Sequence, residues 1–218
     1  MAPETLVEPA LAELIGRARG LALAEPPRRR LLGITGPPGA GKSSLAEAVV
    51  VSLGGLAVLV PMDGFHLANE ELVRLGLRDR KGAPATFDGP GFVTLLEQLR
   101  AARRPRVHAP AFDRRADRSV QDAIAVPRET PLVVIEGNYL LLDAGPWAGV
   151  RPLLDACWYL DGDDRRVERL IARHVAHGKD PASAADWVRR SDEANARLIE
   201  TTRGRADLVV VGLPEGQR

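Results

Sequence analysis

The sequence feature that most constrains this chain is a glycine-rich stretch with the pattern Gly, four residues, Gly-Lys-Ser. It is made up of Gly36-Pro37-Pro38-Gly39-Ala40-Gly41-Lys42-Ser43. An apolar run at 31–35 precedes it and a helix-forming run at 44–50 follows it, which predicts a strand, a turn and a helix. In that arrangement, backbone N–H groups and the helix N-terminus converge on one point and hold a phosphate chain. With 21 glycines and three lysines in 218 residues, roughly 0.002 accidental matches are expected.

The side chains of this stretch indicate which ligands it binds. Lys42 is expected to reach the β and γ phosphates of a nucleotide, and the Ser43 hydroxyl to coordinate Mg²⁺. Ser44 opens the following helix and completes the predicted phosphate site. ATP and Mg²⁺ are therefore the expected cofactors, and a glycine-rich turn without a ligand is the alternative.

Charge balance and cysteine content narrow the class of protein. The chain has 30 Lys and Arg and 29 Asp and Glu residues, a net charge of +1. The chain therefore lacks the excess of positive charge that is typical of proteins that bind nucleic acid or an anionic membrane, and a small molecule is the expected partner. A homodimer is also left open. The single Cys157 lies in an apolar run and is expected to be a core thiol. The sequence shows neither a signal peptide nor an apolar run of ~18 residues, which favours a cytoplasmic enzyme.

The order of apolar runs and turns predicts one α/β domain. Five short apolar strands alternate with helices, the pattern of a doubly wound five-stranded parallel sheet. Residues 1–27 are predicted to form a helical extension, with a helix from Thr5 to about Leu23. The predicted domain is 28–218, with substrate loops at about 64–91 and 103–128 and a lid at about 162–180. The arginine run at 28–30 indicates a solvated strand entry without a binding role.

Two carboxylates follow predicted strands, at the end where ligands bind open parallel sheets. Asp63 follows the strand at 56–60, and a kinase that acts on an alcohol needs a carboxylate to orient the hydroxyl and accept its proton. The alternative is an Asp that caps the helix starting near His66, which we also assign to the substrate site. Glu136 follows the strand at 132–135 and is expected to face the substrate and to complete the Mg²⁺ site with Ser43. Its alternative is an edge carboxylate bonded to a neighbouring loop.

Two loops carry side chains suited to a polar substrate. The first, 78–91, has no regular structure predicted over fourteen residues, which is typical of a functional loop. In the second, 106–115, an aromatic ring, a carboxylate and a guanidinium lie side by side. The alternatives are a solvated connection for the first loop and a surface hairpin closed by 120–126 for the second. The residues assigned to the substrate are Arg80, Lys81, Phe87, Phe112, Asp113 and Arg114.

The segment after the fourth strand predicts a cationic lid. Arg165, Arg169 and Arg173 are spaced by four residues and therefore share one face of a helix. Such a face is able to close over a transferring phosphoryl group and stabilise its charge. In a chain this rich in arginine, a merely solvated helix face is the alternative.

These residues resemble the phosphoribulokinase, uridine kinase and pantothenate kinase superfamily over about residues 28–211. They are most similar to the bacterial nucleoside/nucleotide kinase-like subgroup, which includes proteins named as fructose transport system kinases. The resemblance rests on the phosphate loop, Asp63-Gly64-Phe65-His66, Arg80-Lys81-Gly82-Ala83-Pro84, Phe87-Asp88, Pro110-Ala111-Phe112-Asp113-Arg114, Glu136-Gly137-Asn138-Tyr139, the arginine lid and Thr202-Arg203-Gly204-Arg205-Ala206-Asp207.

The resemblance implies a P-loop kinase fold that uses ATP and Mg²⁺ to phosphorylate a hydroxyl of a small metabolite. The catalytic base matches Asp63, Lys42 acts on the phosphates, and the catalytic lid arginines match Arg169 and Arg173. It further implies that Arg203 contacts the nucleotide and that Tyr139 contacts the substrate.

Several positions depart from relatives of known specificity. Uridine kinases carry Tyr-Asp-Phe and a following His, whereas this chain has Phe112-Asp113-Arg114, which argues against uridine as the substrate. The pantothenate kinase pocket pattern is also missing, and His108 stands where the subgroup has Tyr. A nucleotide-dependent switch or ATPase acting on a protein partner is the second hypothesis, although the Asn-Lys-x-Asp pattern of guanine switches is absent from the sequence. A third is a fold that binds ATP without turnover.

Overall fold

A parallel six-stranded sheet forms the centre of the molecule in the computed structural model, which describes residues 2–213. Residues 214–218 of the predicted domain lie outside the described part. The strands of this sheet are β1 (Glu4–Val7), β2 (Arg30–Thr35), β3 (Ala57–Pro61), β6 (Leu132–Glu136), β7 (Ala156–Leu160) and β8 (Leu208–Val211). Their order across the sheet is β1-β8-β7-β2-β6-β3, and every neighbouring pair is parallel.

Helices cover both faces of this sheet, because successive residues of each buried strand point to opposite faces. Leu31 joins the apolar cluster that contains Phe92 of α4 (Gly89–Ala101). Leu32 joins the cluster that contains Leu14 of α1 (Leu11–Ala22) and Leu45 of α2 (Lys42–Leu53). The doubly wound α/β fold is thereby confirmed. The helices are α1 (Leu11–Ala22), α2 (Lys42–Leu53), α3 (Asn69–Arg74), α4 (Gly89–Ala101), α5 (Arg166–Ala176), α6 (Pro181–Trp187) and α7 (Glu193–Glu200).

The predicted strand count was wrong, because the N-terminal segment adds a sixth strand. Glu4–Val7 pairs in parallel with Leu208–Val211, where the sequence predicted a helix from Thr5. Pro9 explains the difference, since its ring nitrogen has no N–H to donate and its side chain clashes with the preceding helical turn. The helix therefore begins only at Leu11, with Leu14 fully buried against the sheet.

The arginine run at 28–30, which leads into β2, was predicted to be solvated, but part of it is buried. Arg29 is 5% exposed, and its guanidinium donates hydrogen bonds to three backbone carbonyls. Arg28 remains at the surface and forms an ion pair with the buried Asp155.

A separate hairpin stands over the carboxyl edge of the sheet. β4 (Arg106–Asp113) and β5 (Arg118–Pro127) pair antiparallel, the arrangement that was the alternative for this segment. Gly64, in the turn after β3, lets the hairpin approach, because a Cβ there would lie 2.3 Å from the carbonyl oxygen of Pro110. The tip of the hairpin consequently lies beside Asp63.

The predicted lid, at about 162–180, contains α5, and a second helix begins directly after it. α5 is followed by α6, whose first turn is capped by Asp180 through the N–H of Ser183. A π-helical turn, Val188–Asp192, then joins α6 to α7. Within residues 2–213, the helices are all too short or too polar to cross a membrane.

Candidate active site

The glycine-rich loop between β2 and α2 forms a tight turn that leads into the N-terminus of α2. Gly36, Gly39 and Gly41 have φ angles of 143°, 81° and 94°, which side chains rarely adopt. A Cβ on Gly36 would also lie 2.2 Å from the carbonyl oxygen of Leu160. The loop therefore requires glycine at these points, and Ser43 in the first turn of α2 stays exposed.

Lys42 folds back over this loop. Its side chain is 6% exposed and its ammonium donates to the Pro37 carbonyl at 3.0 Å. Burial lowers the pKa of Lys42 to about 8, while the negative charges of Glu136 and Asp63 oppose that shift. The ammonium is thus positioned by the loop and lies within electrostatic reach of two carboxylates.

Glu136 lies between the phosphate loop and the turn after β3. In the sheet register it is opposite Ile34 of β2 on one side and Pro61 of β3 on the other. Burial raises the pKa of Glu136 to about 7, and the positive charge of Lys42 opposes that shift. At 8% exposure, the carboxylate is placed to take up a proton near neutral pH.

The stability of the protein should depend on this carboxylate in a defined direction. The folded state holds a proton on Glu136 between the usual pKa of 4.5 and about 7, and the unfolded chain does not. The associated stabilisation is present at low pH and is lost as the pH rises through about 7.

In Glu136→Gln the side chain does not titrate, so its stability should not show this decrease with pH. The unfolding free energy of the variant, relative to that of the wild type, should therefore rise by roughly 1–3 kcal/mol between pH 5 and pH 8. Urea unfolding at pH 5, 6.5 and 8 measures the difference. Glu97→Gln, on the exposed side of α4, is the control and should track the wild type. A difference for Glu136→Gln that does not change with pH would contradict the assignment.

The residues present fit Mg²⁺ only together with a nucleotide. Within residues 2–213, groups of three His, Cys, Asp or Glu side chains that could hold a metal by themselves do not occur. Mg²⁺ in phosphoryl-transfer sites is commonly held by one or two protein oxygens plus substrate phosphates. Ser43 and Glu136 would supply those protein oxygens.

Asp63 lies in the turn that follows β3, at the same edge of the sheet. Its carboxylate accepts a hydrogen bond from Nη2 of Arg114 at 3.2 Å, an ion pair that reaches across from the hairpin tip. The helix that follows is not capped by Asp63: its N-cap is Ala68 and lacks a side-chain bond. The capping alternative for Asp63 is therefore not seen in the structure, and its role in the site stays a prediction.

Aromatic side chains line the region beside Asp63. His66 stacks on Phe87 with ring centroids 4.0 Å apart, and Phe112 lies 4.9 Å from His66. Burial lowers the pKa of His66 to about 4, so the imidazole is neutral at physiological pH. These three predicted substrate residues are brought together.

The other predicted substrate residues are held mainly by the protein. Lys81 binds Asn69 and Asp117, and Asp113 accepts the backbone N–H groups of Arg115 and Ala116. Tyr139 is buried and donates its hydroxyl to the Gly82 carbonyl at 2.5 Å. Arg80 is exposed next to Lys81. Tyr139 thus anchors the first substrate loop to the end of β6.

The lid helix contacts the phosphate loop through two arginines. Arg169 donates to the Gly39 carbonyl at 2.9 Å and pairs with Asp163. Arg166 donates to the Pro38 carbonyl at 3.1 Å and to Glu193 of α7 at 2.5 Å. Arg173 lies near enough for its charge to lower the pKa of Lys42.

Sequence reasoning missed Arg166 and instead grouped Arg165 with the lid face. Arg165 is exposed and forms an ion pair with Glu168. The signal was present, because 166, 169 and 173 are separated by three and four residues and also share one helix face. Arg203, expected to contact the nucleotide, donates to Asp161 at 3.1 Å, beyond the end of β7.

Comparison with known proteins places this geometry in a family. Residues 31–217 match the Phosphoribulokinase / Uridine kinase family. The chain belongs to that family. A Schizosaccharomyces pombe protein named "Putative uridine kinase C227.14" is 32% identical over 204 residues, covering 88% of this chain and 87% of that protein. A pantothenate kinase from Xanthobacter autotrophicus is 29% identical over 213 residues, covering 83% and 66%.

A solved structure from Silicibacter sp. TM1040 shows the same fold. That protein, described as a "putative fructose transport system kinase", is 39% identical, superposes with a TM-score of 0.83, and covers 92% of this chain and 98% of its own. The predicted resemblance to the phosphoribulokinase/uridine kinase family is confirmed. As a member of that family, the protein is a P-loop kinase that acts on a small metabolite, a phosphotransferase with a hydroxyl acceptor.

Proposed function

We propose that this kinase transfers the γ-phosphoryl group of Mg-ATP to a hydroxyl of a sugar-like or nucleoside-like metabolite. The observation that carries the proposal is the convergence of Lys42, Glu136 and Asp63 at one edge of the sheet. The negative charges of Glu136 and Asp63 act upward on the pKa of Lys42, and on the pKa of Glu136 the charge of Lys42 acts downward while that of Asp63 acts upward. An ammonium for the phosphates, a carboxylate for the metal and a carboxylate for the hydroxyl are the groups that phosphoryl transfer to an alcohol requires.

Each side chain has a distinct part in the proposed reaction. Lys42 neutralises the β and γ phosphates, and Arg169 and Arg173 stabilise charge on the transferring group from the lid. Bound Mg²⁺ would add charge neutralisation on the phosphates from Ser43 and Glu136. Asp63 orients the accepting hydroxyl and takes its proton as the new P–O bond forms.

The acceptor site is proposed to lie between Asp63 and the neighbouring aromatic rings. His66 and Phe112 present ring surface over the buried Phe87, and Arg114 forms an ion pair with the Asp63 carboxylate. Flat apolar surface beside a charged pair suits a compact ring with several hydroxyl groups. We therefore propose a sugar-like or nucleoside-like acceptor.

The test is ADP release from Mg-ATP in the presence of candidate acceptors. The panel comprises fructose and other free sugars, sugar phosphates, nucleosides, nicotinamide riboside and pantothenate. One class should stimulate ADP release. ADP release that no metabolite stimulates would favour the ATPase or switch alternative, and ATP binding without turnover would favour a fold without catalysis.

Asp63→Asn tests the assignment of the base. It should lower kcat by about 10²-fold or more, with ATP affinity nearly unchanged, because a positioned general base contributes on that scale. Asp122→Asn is the matched control, since that carboxylate is exposed on β5 and is assigned no part in the site. If Asp63→Asn retained full acceptor-stimulated turnover, Asp63 would not be the base.

A further inference from the structure

We infer that Lys81 is a positioning residue that clamps the tip of the β4–β5 hairpin and so holds Arg114 against Asp63. The inference rests on the proposed function only in its last step, where Asp63 acts as the base. The clamp itself is a property of the fold. It consists of Lys81, Asn69 and Asp117, which come from the first substrate loop, the start of α3 and the hairpin tip.

The clamp is a closed triangle of hydrogen bonds. The Lys81 ammonium donates to Oδ1 of Asp117 at 2.7 Å and to Oδ1 of Asn69 at 2.9 Å. The Asn69 amide donates in turn to Oδ2 of Asp117 at 2.9 Å and to its carbonyl at 3.2 Å. Each corner therefore bonds to both of the others. Because two of these bonds join opposite charges or end on a carboxylate, they belong to the stronger class of hydrogen bonds.

Burial of the lysine separates this ion pair from an ordinary surface pair. The Lys81 side chain is 11% exposed, whereas its partner Asp117 is 47% exposed, and the Lys81 ammonium lies 5.1 Å from the centroid of the Phe112 ring. Partial burial raises the pKa of Asp117, but the bonds from Lys81 and Asn69 outweigh it and the net shift is downward. Exposed ion pairs contribute little to stability, whereas a pair whose buried lysine and half-exposed carboxylate both bond to a third side chain holds its geometry.

The backbone next to Lys81 is hydrogen-bonded to the rest of the domain. The carbonyl of Gly82, next to Lys81, accepts hydrogen bonds from the hydroxyl of Tyr139 and from the Asn195 amide at 3.3 Å. Tyr139 follows β6 and Asn195 lies on α7. Lys81 therefore extends from a backbone that is tied to both the sheet and the lid side of the molecule.

The hairpin tip transmits this restraint to Asp63. Asp117 has a φ of 49°, the left-handed conformation that Asp adopts in tight turns more readily than most residues other than glycine. Arg114 lies three residues before Asp117 in the same turn and donates to the Asp63 carboxylate at 3.2 Å. A tip released from Lys81 would free Arg114 as well, and Asp63 would lose its partner.

Limited trypsin digestion tests the clamp without any substrate. Arg114, Arg115 and Arg118 make the tip a trypsin target, and cleavage there requires local opening. In Lys81→Met, the cleavage rate after these arginines, followed by mass spectrometry, should rise about tenfold or more. The matched control is Arg78→Met, which removes a half-exposed arginine 3.4 Å from the same Asp117 carboxylate and should leave the rate near that of the wild type.

A double-variant cycle tests the link to the base. With the acceptor found in the panel, Lys81→Met should lower kcat about tenfold with little change in KM for ATP. In the Asp63→Asn background, the same substitution should have almost no further effect, because a residue that acts through Asp63 has nothing left to position.

The trypsin digestion and the double-variant cycle together distinguish failure of the clamp from failure of the proposed function. Unchanged tip cleavage in Lys81→Met overturns the inference whatever the activity shows. A loss in the double variant equal to the product of both single losses also overturns it, since Lys81 would then contact the substrate directly. Faster tip cleavage combined with full turnover by Asp63→Asn leaves the clamp standing, and it is then the assigned base and the clamp's link to it that fail.

Discussion

Replacing Lys42 with methionine is expected to lower turnover by about 10³-fold or more, the scale on which loss of a charge that stabilises a transferring phosphoryl group acts. Lys42 is the only lysine in the phosphate loop, and its ammonium is already bent over the loop toward the Pro37 carbonyl. Methionine retains the length of the side chain but supplies no charge. The effect should appear in kcat for the stimulated reaction, together with weaker binding of ATP.

The fold should tolerate this substitution. Lys42 is nearly fully buried and burial lowers its pKa, so the folded state already disfavours the charged form. Glu136, whose pKa is raised by burial, is able to take up a proton when its positive neighbour is removed. Thermal unfolding at pH 6.5 should therefore show no loss of stability, which separates a catalytic defect from a folding defect.

Lys179→Met is the matched lysine control for turnover. Lys179 is exposed at the far end of the lid and lies 4.6 Å from the centroid of the Trp187 ring. Its loss should leave kcat within about twofold, since an exposed cation–π contact is worth only about 0.5–1 kcal/mol. Normal turnover by Lys42→Met would remove the basis for assigning the phosphate loop a role in catalysis.

Local patterns were sufficient to predict most of the sheet. β2, β3, β6, β7 and β8 are short apolar runs with turn residues at their ends, so each can be recognised without knowledge of its neighbours. β1 could not be recognised in this way. Its four residues are mostly exposed, and they form a strand only because β8 offers a free edge more than 200 residues later in the chain.

The same distinction separates the site residues. The phosphate loop was predictable because its conformation depends on glycine and lysine within eight consecutive residues. The environment of Lys81 was not, because its partners are 12 and 36 residues away and the sequence does not show that α3 and the hairpin tip converge on it. A lysine in a long loop suggested that Lys81 binds phosphate or substrate. In the structure its ammonium instead donates hydrogen bonds to Asn69 and Asp117.

A second large effect is expected far from the site, at Arg29. Its guanidinium donates to the carbonyls of Thr130 at 3.2 Å, Leu99 at 3.0 Å and Pro127 at 2.5 Å. These carbonyls belong to the end of α4, the end of β5 and the connection to β6. One side chain thereby joins a helix terminus, the hairpin and the sheet.

Arg29→Met should lower the unfolding free energy by about 3–5 kcal/mol, because it removes the arginine donor from the carbonyls of Thr130 and Leu99, each at a cost of about 1–3 kcal/mol. The Pro127 carbonyl keeps the N–H of Thr130 at 3.1 Å. Arg28→Met is the control, and should cost less than about 1 kcal/mol. Arg28 is 41% exposed. In Arg28→Met its partner Asp155 still has ion pairs with Arg30 and Arg100 and a hydrogen bond from the N–H of Leu31. Urea unfolding at pH 7.5 compares the two. Equal losses for both variants would mean that Arg29 contributes as a surface charge, whereas a loss confined to Arg29→Met would show that its three backbone hydrogen bonds hold α4 and the hairpin to the sheet.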